Sequence, residues 1–236
     1  MTSTPDSKVL FITGAGGGIG TAVARHAVRD GWRVAVTDRC FETVQTLAAE
    51  LGNAALPLPC DVTEWAELDA AVAATLNHFG RLDAALANAG FTAGEARYSE
   101  GGPTPHEWRD MILTNVLGTA LTARATLPHL LSSTGHLLLL GSVTGRVATP
   151  GPYSATKFAV SGMAESIRQE VRESGVRVTC IEPGRVDTAY WDAGGKPEGV
   201  DYLQDNDIAR AVLYVLSQPP HVAISEVVIR PSTQIE

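Results

Sequence analysis

A chain of 236 residues, 44% hydrophobic and 19% charged, is long and apolar enough to bury a full core, and a mean hydropathy of +0.05 fits one large soluble domain. A formal charge of -8 and a pI near 5.2 argue against nucleic acid and anionic membrane surfaces, which repel an acidic protein, and leave a small molecule as the expected partner. No run approaches the ~20 apolar residues of a membrane span, and the opening MTSTPDS lacks the basic segment and apolar stretch of a secretory signal.

Cys40, Cys60 and Cys180 have no zinc-like spacing and are odd in number, which points to a reduced, cytoplasmic setting and to no metal site.

The first predicted strand, VLFIT at 9–13, runs directly into TGAGGGIG and then a helical pattern at 18–30. Glycines at 14, 18 and 20 let the chain turn tightly and let a pyrophosphate approach, while the new helix offers its free N–H groups to the charge. The second strand, RVAVT at 33–37, is followed by Asp38, 18 residues beyond Gly20. A carboxylate there accepts hydrogen bonds from ribose hydroxyls and repels a 2'-phosphate, so NAD is favoured over NADP; the adjacent Arg39 pulls the other way.

Strands follow at 55–59 (ALPLP), 82–87 (LDAALA), 136–141 (HLLLLG), 176–181 (VRVTCI) and 226–230 (EVVIR), and helix-like segments include 64–78, 106–131, 154–173 and 205–217. Alternation of this kind predicts an α/β fold, a doubly wound parallel sheet of seven strands with helices on both faces, in a single domain over 1–236. Two glycine-containing loops, 91–105 and 189–204, interrupt the rhythm, and the second is expected to be a substrate lid.

The chemistry-bearing residues collect after strands. Asp61 follows the third, Asn88–Gly90 the fourth, Ser142 the fifth and Pro183 the sixth, which is the carboxyl edge where open parallel sheets bind ligands. On the helix that begins near 154, Tyr153 and Lys157 stand four positions apart and so on one face. An ammonium beside a phenol favours the phenolate and brings it towards the working range of an acid/base catalyst.

Taken in order, TGAGGGIG, Asp38, CDV, NAG, TNVLGT, GSVTG, YSATK and PGRVDT resemble the short-chain dehydrogenase/reductase family in its single-domain, Rossmann-fold form over nearly the whole chain. The resemblance implies a catalytic group of Asn115, Ser142, Tyr153 and Lys157. Tyr153 would exchange the proton with the alcohol or carbonyl oxygen, Lys157 would lower its pKa and hold the nicotinamide ribose, Ser142 would bind the substrate oxygen, and Asn115 would hold a water linking Lys157 to solvent. It further implies that Gly14, Gly18, Ile19 and Gly20 hold the pyrophosphate, Asp38 the adenosine ribose, and Asp61 and Val62 the adenine. Asn88, Ala89 and Gly90 would line the middle of the site, and Pro183, Val186 and Thr188 would position the carboxamide. A homo-oligomer, dimer or tetramer, built on helices near 106–131 and 154–173 is the family expectation.

Ser142 and Tyr153 are only 11 residues apart, closer than is usual in the family, which implies an altered substrate pocket. The ending EVVIRPSTQIE, in place of the usual Asp-Gly-Gly, resembles the branch that includes dehydrogenases of serine-like 3-hydroxy acids and small aldehyde reductases. Phe91, Val143, Tyr190 and Trp191 are candidate pocket walls, and Arg97 or Arg146 a candidate contact for an anionic substrate. The leading reading is an NAD(H)-dependent oxidoreductase acting on a secondary alcohol or its carbonyl counterpart. An NADPH-dependent carbonyl reductase and a non-catalytic dinucleotide-sensing protein are the alternatives.

Overall fold

Residues 7–94, 97–99, 102–188, 195–196 and 198–234 are described by a computed structural model. Its strands are β1 (Val9–Thr13), β2 (Arg33–Asp38), β3 (Ala55–Pro59), β4 (Ala84–Ala87), β5 (His136–Leu140), β6 (Arg177–Pro183) and β7 (Glu226–Ile229). They form one parallel sheet in the order β3-β2-β1-β4-β5-β6-β7. Between them run helices α1 (Gly18–Arg29), α2 (Phe41–Leu51), α3 (Trp65–Phe79), α4 (Pro105–Ile112), α5 (Thr119–Ser133), α6 (Pro152–Val171) and α7 (Asp205–Ser217).

The central strands β1, β4 and β5 are apolar over most of their length and buried at nearly every position, because both faces of the sheet are covered. Along β1, Val9 and Phe11 join one core with Leu68 and Val72 of α3, Leu130 of α5 and Val160 and Ala164 of α6. Leu10 and Ile12 enter the other, with Val23 and Ala27 of α1, Val44 of α2 and Ile208 and Val212 of α7. The Val, Leu, Ile and Phe side chains among these are completely or almost completely buried, worth roughly 1.5–3 kcal/mol apiece before entropy is counted. The amino-terminal edge of the sheet is tied by Asp83, whose carboxylate accepts from the Val9 N–H at 2.8 Å and from the Arg81 guanidinium at 2.7 and 2.9 Å.

Strand order reverses direction at β1: the chain first builds outward to β2 and β3, then crosses back to β4 on the other side. The connections leaving β1 and β4 therefore lead to opposite faces of the sheet, α1 on one and α5 on the other, which opens a crevice at the carboxyl edge.

Two departures from the predicted elements affect function. The helix expected at 106–131 is three segments: α4, a π-helical stretch at Leu113–Gly118, and α5. That wider turn carries Asn115, which is buried. The helix expected from 154 starts at Pro152, which at the first turn needs no N–H partner, so Tyr153 belongs to the helix itself. Helix α2 was not among the predicted elements, although its buried Val44, Leu47 and Ala48 carry the three- and four-residue spacing of a helical face. Of the expected lid, 189–194 and 197 lie outside the described residues. No helix among the described residues is long and apolar enough to cross a membrane.

Candidate active site

The loop leaving β1 is shaped for close approach. Gly14 has φ of +64°, and a Cβ on it would stand 2.8 Å from the Ala89 Cα; one on Gly20 would stand 2.5 Å from the Gly14 carbonyl oxygen. The Asn88 side chain locks the two loops together, donating to the carbonyls of Thr13 and Gly14 at 2.9 Å each. Helix α1 starts from Gly17 with no side-chain cap and no acid in its own first turn, so its first N–H groups are left for a ligand. At the end of β2, Asp38 is oriented by N–H donors from Gly16 (3.1 Å) and Cys40 (3.0 Å).

Farther along the same edge, β5 delivers Ser142. Its oxygen accepts from the Thr144 N–H at 3.2 Å, and the two hydroxyls lie 3.0 Å apart with the Thr144 hydroxyl as donor. With its lone pairs so engaged, the Ser142 hydroxyl acts as a donor; in the structure it points to the Pro183 carbonyl across a long 3.4 Å. The short loop after Ser142 is fastened to α6 by Ser154, which donates to the Thr144 carbonyl at 2.8 Å and accepts from the Thr149 N–H at 3.2 Å.

On α6, half-buried Tyr153 and buried Lys157 meet as the spacing requires: the ammonium is 5.7 Å from the phenol ring centre. Lys157 donates one N–H to the Leu140 carbonyl at 2.9 Å, and burial pulls its pKa down to about 8, with the Cys180 thiol as a smaller, opposing influence. Asn115 braces this corner. Its amide exchanges two 2.9 Å hydrogen bonds with the Phe91 main chain and donates to Thr156 at 3.1 Å, while Thr156 donates to the Tyr153 carbonyl at 2.7 Å.

These parts border one cleft of about 830 Å³. Gly14, Gly18, Ile19, Asp38, Asp61, Val62, Asn88, Ala89, Gly90, Ser142, Tyr153, Lys157, Pro183, Val186 and Thr188 all line it, as do the expected walls Phe91 and Val143. Gly20 does not reach the cleft; it lies buried beneath Gly14. Asn115 also stands behind the wall, against Gly90, where a Cβ would come within 3.0 Å of its oxygen. Tyr190 and Trp191 fall outside the described residues.

Arg146, expected as a possible substrate contact, is turned to another task. Its guanidinium binds the wholly buried Glu182 carboxylate and that of Glu226, and it does not line the cleft. Arg97 is exposed and does not line the cleft either. Sequence reasoning missed Arg185 and Gln234, which do. Gln234 comes from the carboxyl-terminal stretch, and no local motif announces that it returns to the site. Cys60 also lines the cleft, but burial pushes its thiol up to about 12, so it is no nucleophile at neutral pH.

A short chain dehydrogenase family model matches residues 8–198. The chain belongs to that family. It is 38% identical to an uncharacterized oxidoreductase of Staphylococcus aureus (strain USA300), over 98% of this chain and 100% of the relative. Among solved structures it resembles an alcohol dehydrogenase from Thermococcus sibiricus complexed with 5-hydroxy-NADP, with a TM-score of 0.89, 31% identity, and 97% and 98% of the two chains covered. It also resembles a 3-ketoacyl-(acyl-carrier-protein) reductase from Brucella melitensis complexed with NADH, with a TM-score of 0.88, 27% identity, and coverage of 96% and 98%. The glycine cradle that a Cβ would fill, the uncapped helix and the oriented Asp38 carboxylate fit a dinucleotide in this family member.

Proposed function

We propose that this family member is an NAD(H)-dependent oxidoreductase that interconverts a secondary alcohol and its carbonyl counterpart. The observation that carries this reading is that Ser142, Tyr153 and Lys157 line the same cleft as the glycine loop and Asp38. The nicotinamide, when bound, supplies or accepts the hydride.

The chain's residues handle the matching proton and the oxygen. Ser142, held as a donor by Thr144, redirects its weakly used O–H from Pro183 to the substrate oxygen. Tyr153 gives or takes the proton at its phenolic oxygen. Lys157, charged below about pH 8, stabilises the phenolate and keeps N–H donors beyond the one given to Leu140 for the nicotinamide ribose. Asn115 is a positioning residue, joining the end of β4 to the turn of α6 that bears Tyr153. Asp38 takes the adenosine ribose hydroxyls. Asp61 and Val62 flank the adenine, and Pro183, Val186 and Thr188 hold the carboxamide end.

A second reading, NADPH as cofactor, is favoured by Arg39, which lines the cleft beside Asp38 with an exposed side chain. Titration of the purified protein with NADH and NADPH by nicotinamide fluorescence, followed by a screen of alcohols and carbonyls, decides between them. Tighter NADH binding with turnover is expected. Tighter NADPH binding assigns Arg39 the larger influence, and dinucleotide binding with no turnover on a broad panel supports a sensor.

A further inference from the structure

We propose that the substrate carries a carboxylate and that the Arg185 guanidinium receives it. This deepens the oxidoreductase reading, on which the placing of the reacting carbon beside Tyr153 rests.

Arg185 lies two residues past Pro183, whose carbonyl accepts from Ser142, so it stands on the β6–β7 side of the cleft, away from Asp38 and Arg39 at the end of β2. Its main chain is fully committed: the N–H donates to the Gln234 side chain at 3.0 Å, and the carbonyl accepts from the Leu203 N–H at 2.8 Å. The guanidinium is not. Arg185 is half-buried, and among the described residues no carboxylate pairs with it.

The nearby acids are already occupied. Asp187 is paired with Lys196 at 2.6 Å, Asp201 accepts from Thr233 at 2.8 Å, and Glu182 and Glu226 hold Arg146. The acids that line the cleft, Asp38 and Asp61, belong to its β2–β3 side. On the side of Ser142, the charged lining residues among those described are therefore Lys157, which serves Tyr153, and Arg185.

A half-buried guanidinium with five donors and no acceptor is suited to an oxyanion, and its planar fork matches a carboxylate in two parallel bonds. A single cation here favours a singly charged carboxylate over a phosphate dianion. Phe91 and Val143 supply apolar wall for the carbon stem between the anion and the reacting carbon.

Butyrate and its neutral isostere butyramide, titrated calorimetrically into the NADH-saturated protein, test this without requiring turnover. The wild type is expected to bind butyrate at least about tenfold more tightly than butyramide. Arg185→Met should weaken butyrate about tenfold to a hundredfold and level the pair, while Arg185→Lys keeps part of the preference. NADH affinity should be equal in all three, which also reports that each variant is folded. Equal binding of the two probes by the wild type, absence of butyrate binding, or a preference surviving in Arg185→Met overturns the proposal. So does a parallel loss of NADH affinity, which would give the guanidinium to the cofactor. The same titration without NADH separates the two readings: an Arg185-dependent preference in a protein that binds no dinucleotide sinks the oxidoreductase reading and leaves the carboxylate site standing.

Discussion

Replacing Lys157 by methionine should stabilise the cofactor-free protein while removing its activity. Lys157 is 6% exposed and its ammonium donates to the Leu140 carbonyl, and burial lowers its pKa from 10.5 to about 8. At ~1.36 kcal/mol per pKa unit, that shift is a penalty of about 3 kcal/mol on the folded state at neutral pH. Methionine removes the penalty but leaves the Leu140 carbonyl without its donor, which costs about 1–3 kcal/mol. The expected net change at pH 7 is a gain of roughly 0–2 kcal/mol.

The sign of the pH dependence follows from linkage. Between 8 and 10.5 the unfolded chain binds the Lys157 proton and the folded chain has released it, so stability rises with pH through that window. From pH 7 to 9 the wild type should gain about 1.3 kcal/mol relative to Lys157→Met. Cys60 and Cys180 act in the opposite sense, because burial raises both thiols from 9.0 to about 12 and the unfolded chain releases their protons first. Both thiols are present in wild type and variant, so the difference isolates Lys157. Urea denaturation of the two proteins at pH 7, 8 and 9 reads it directly. A variant destabilised by more than about 1 kcal/mol at pH 7, or a difference that does not change with pH, refutes the account of a charge held against its desolvation cost.

Tyr153→Phe should lower kcat by about a hundredfold to ten-thousandfold with NADH affinity nearly unchanged, and steady-state kinetics beside a fluorescence titration checks both. Asp38→Ala should narrow the preference for NADH over NADPH; an unchanged ratio of the two dissociation constants removes Asp38 from the ribose. Arg146→Ala strips the wholly buried Glu182 of its ion-pair partner and leaves it the Ser161 hydroxyl, so a loss of about 3 kcal/mol is expected in urea denaturation, at the low end for buried pairs because Arg146 is partly exposed. His136 is buried, and desolvation first and Arg177 second bring its pKa down to about 3. Its neutral form supports full stability above pH ~6.5, and because the unfolded chain takes the proton first, stability falls as pH drops from there towards 3; about 1 kcal/mol should be lost between pH 7 and 5.5, and His136→Leu should flatten that segment.

Local rules sufficed for much of this. Apolar runs such as VLFIT and HLLLL declare strands buried on both faces, the glycines of TGAGGGIG declare a backbone that must turn and be approached closely, and the interval from Tyr153 to Lys157 declares a shared helical face. Each depends on residues close in the chain, and each reappears in the structure with the geometry the spacing implies. Legible too was the carboxyl-edge location of Asp38, Asn88, Ser142 and Pro183, because strand ends are local features and a parallel sheet brings them to one edge.

Contacts between distant segments were decided only by the tertiary structure. Nothing near Asn115 in the chain says that a π-helical turn will set it against Phe91 and Thr156, and nothing near Arg146 says that its charge is consumed by Glu182 and Glu226, 36 and 80 positions away. Arg146 and Arg185 are the same residue type and both follow strand ends, so sequence could not rank them. Ion pairing across the sheet commits the first, and the engagement of Asp187 with Lys196 leaves the second uncommitted. Which charge remains for a ligand is a property of the folded molecule's pairing, because a charge is available only after every acid within reach has been assigned a partner.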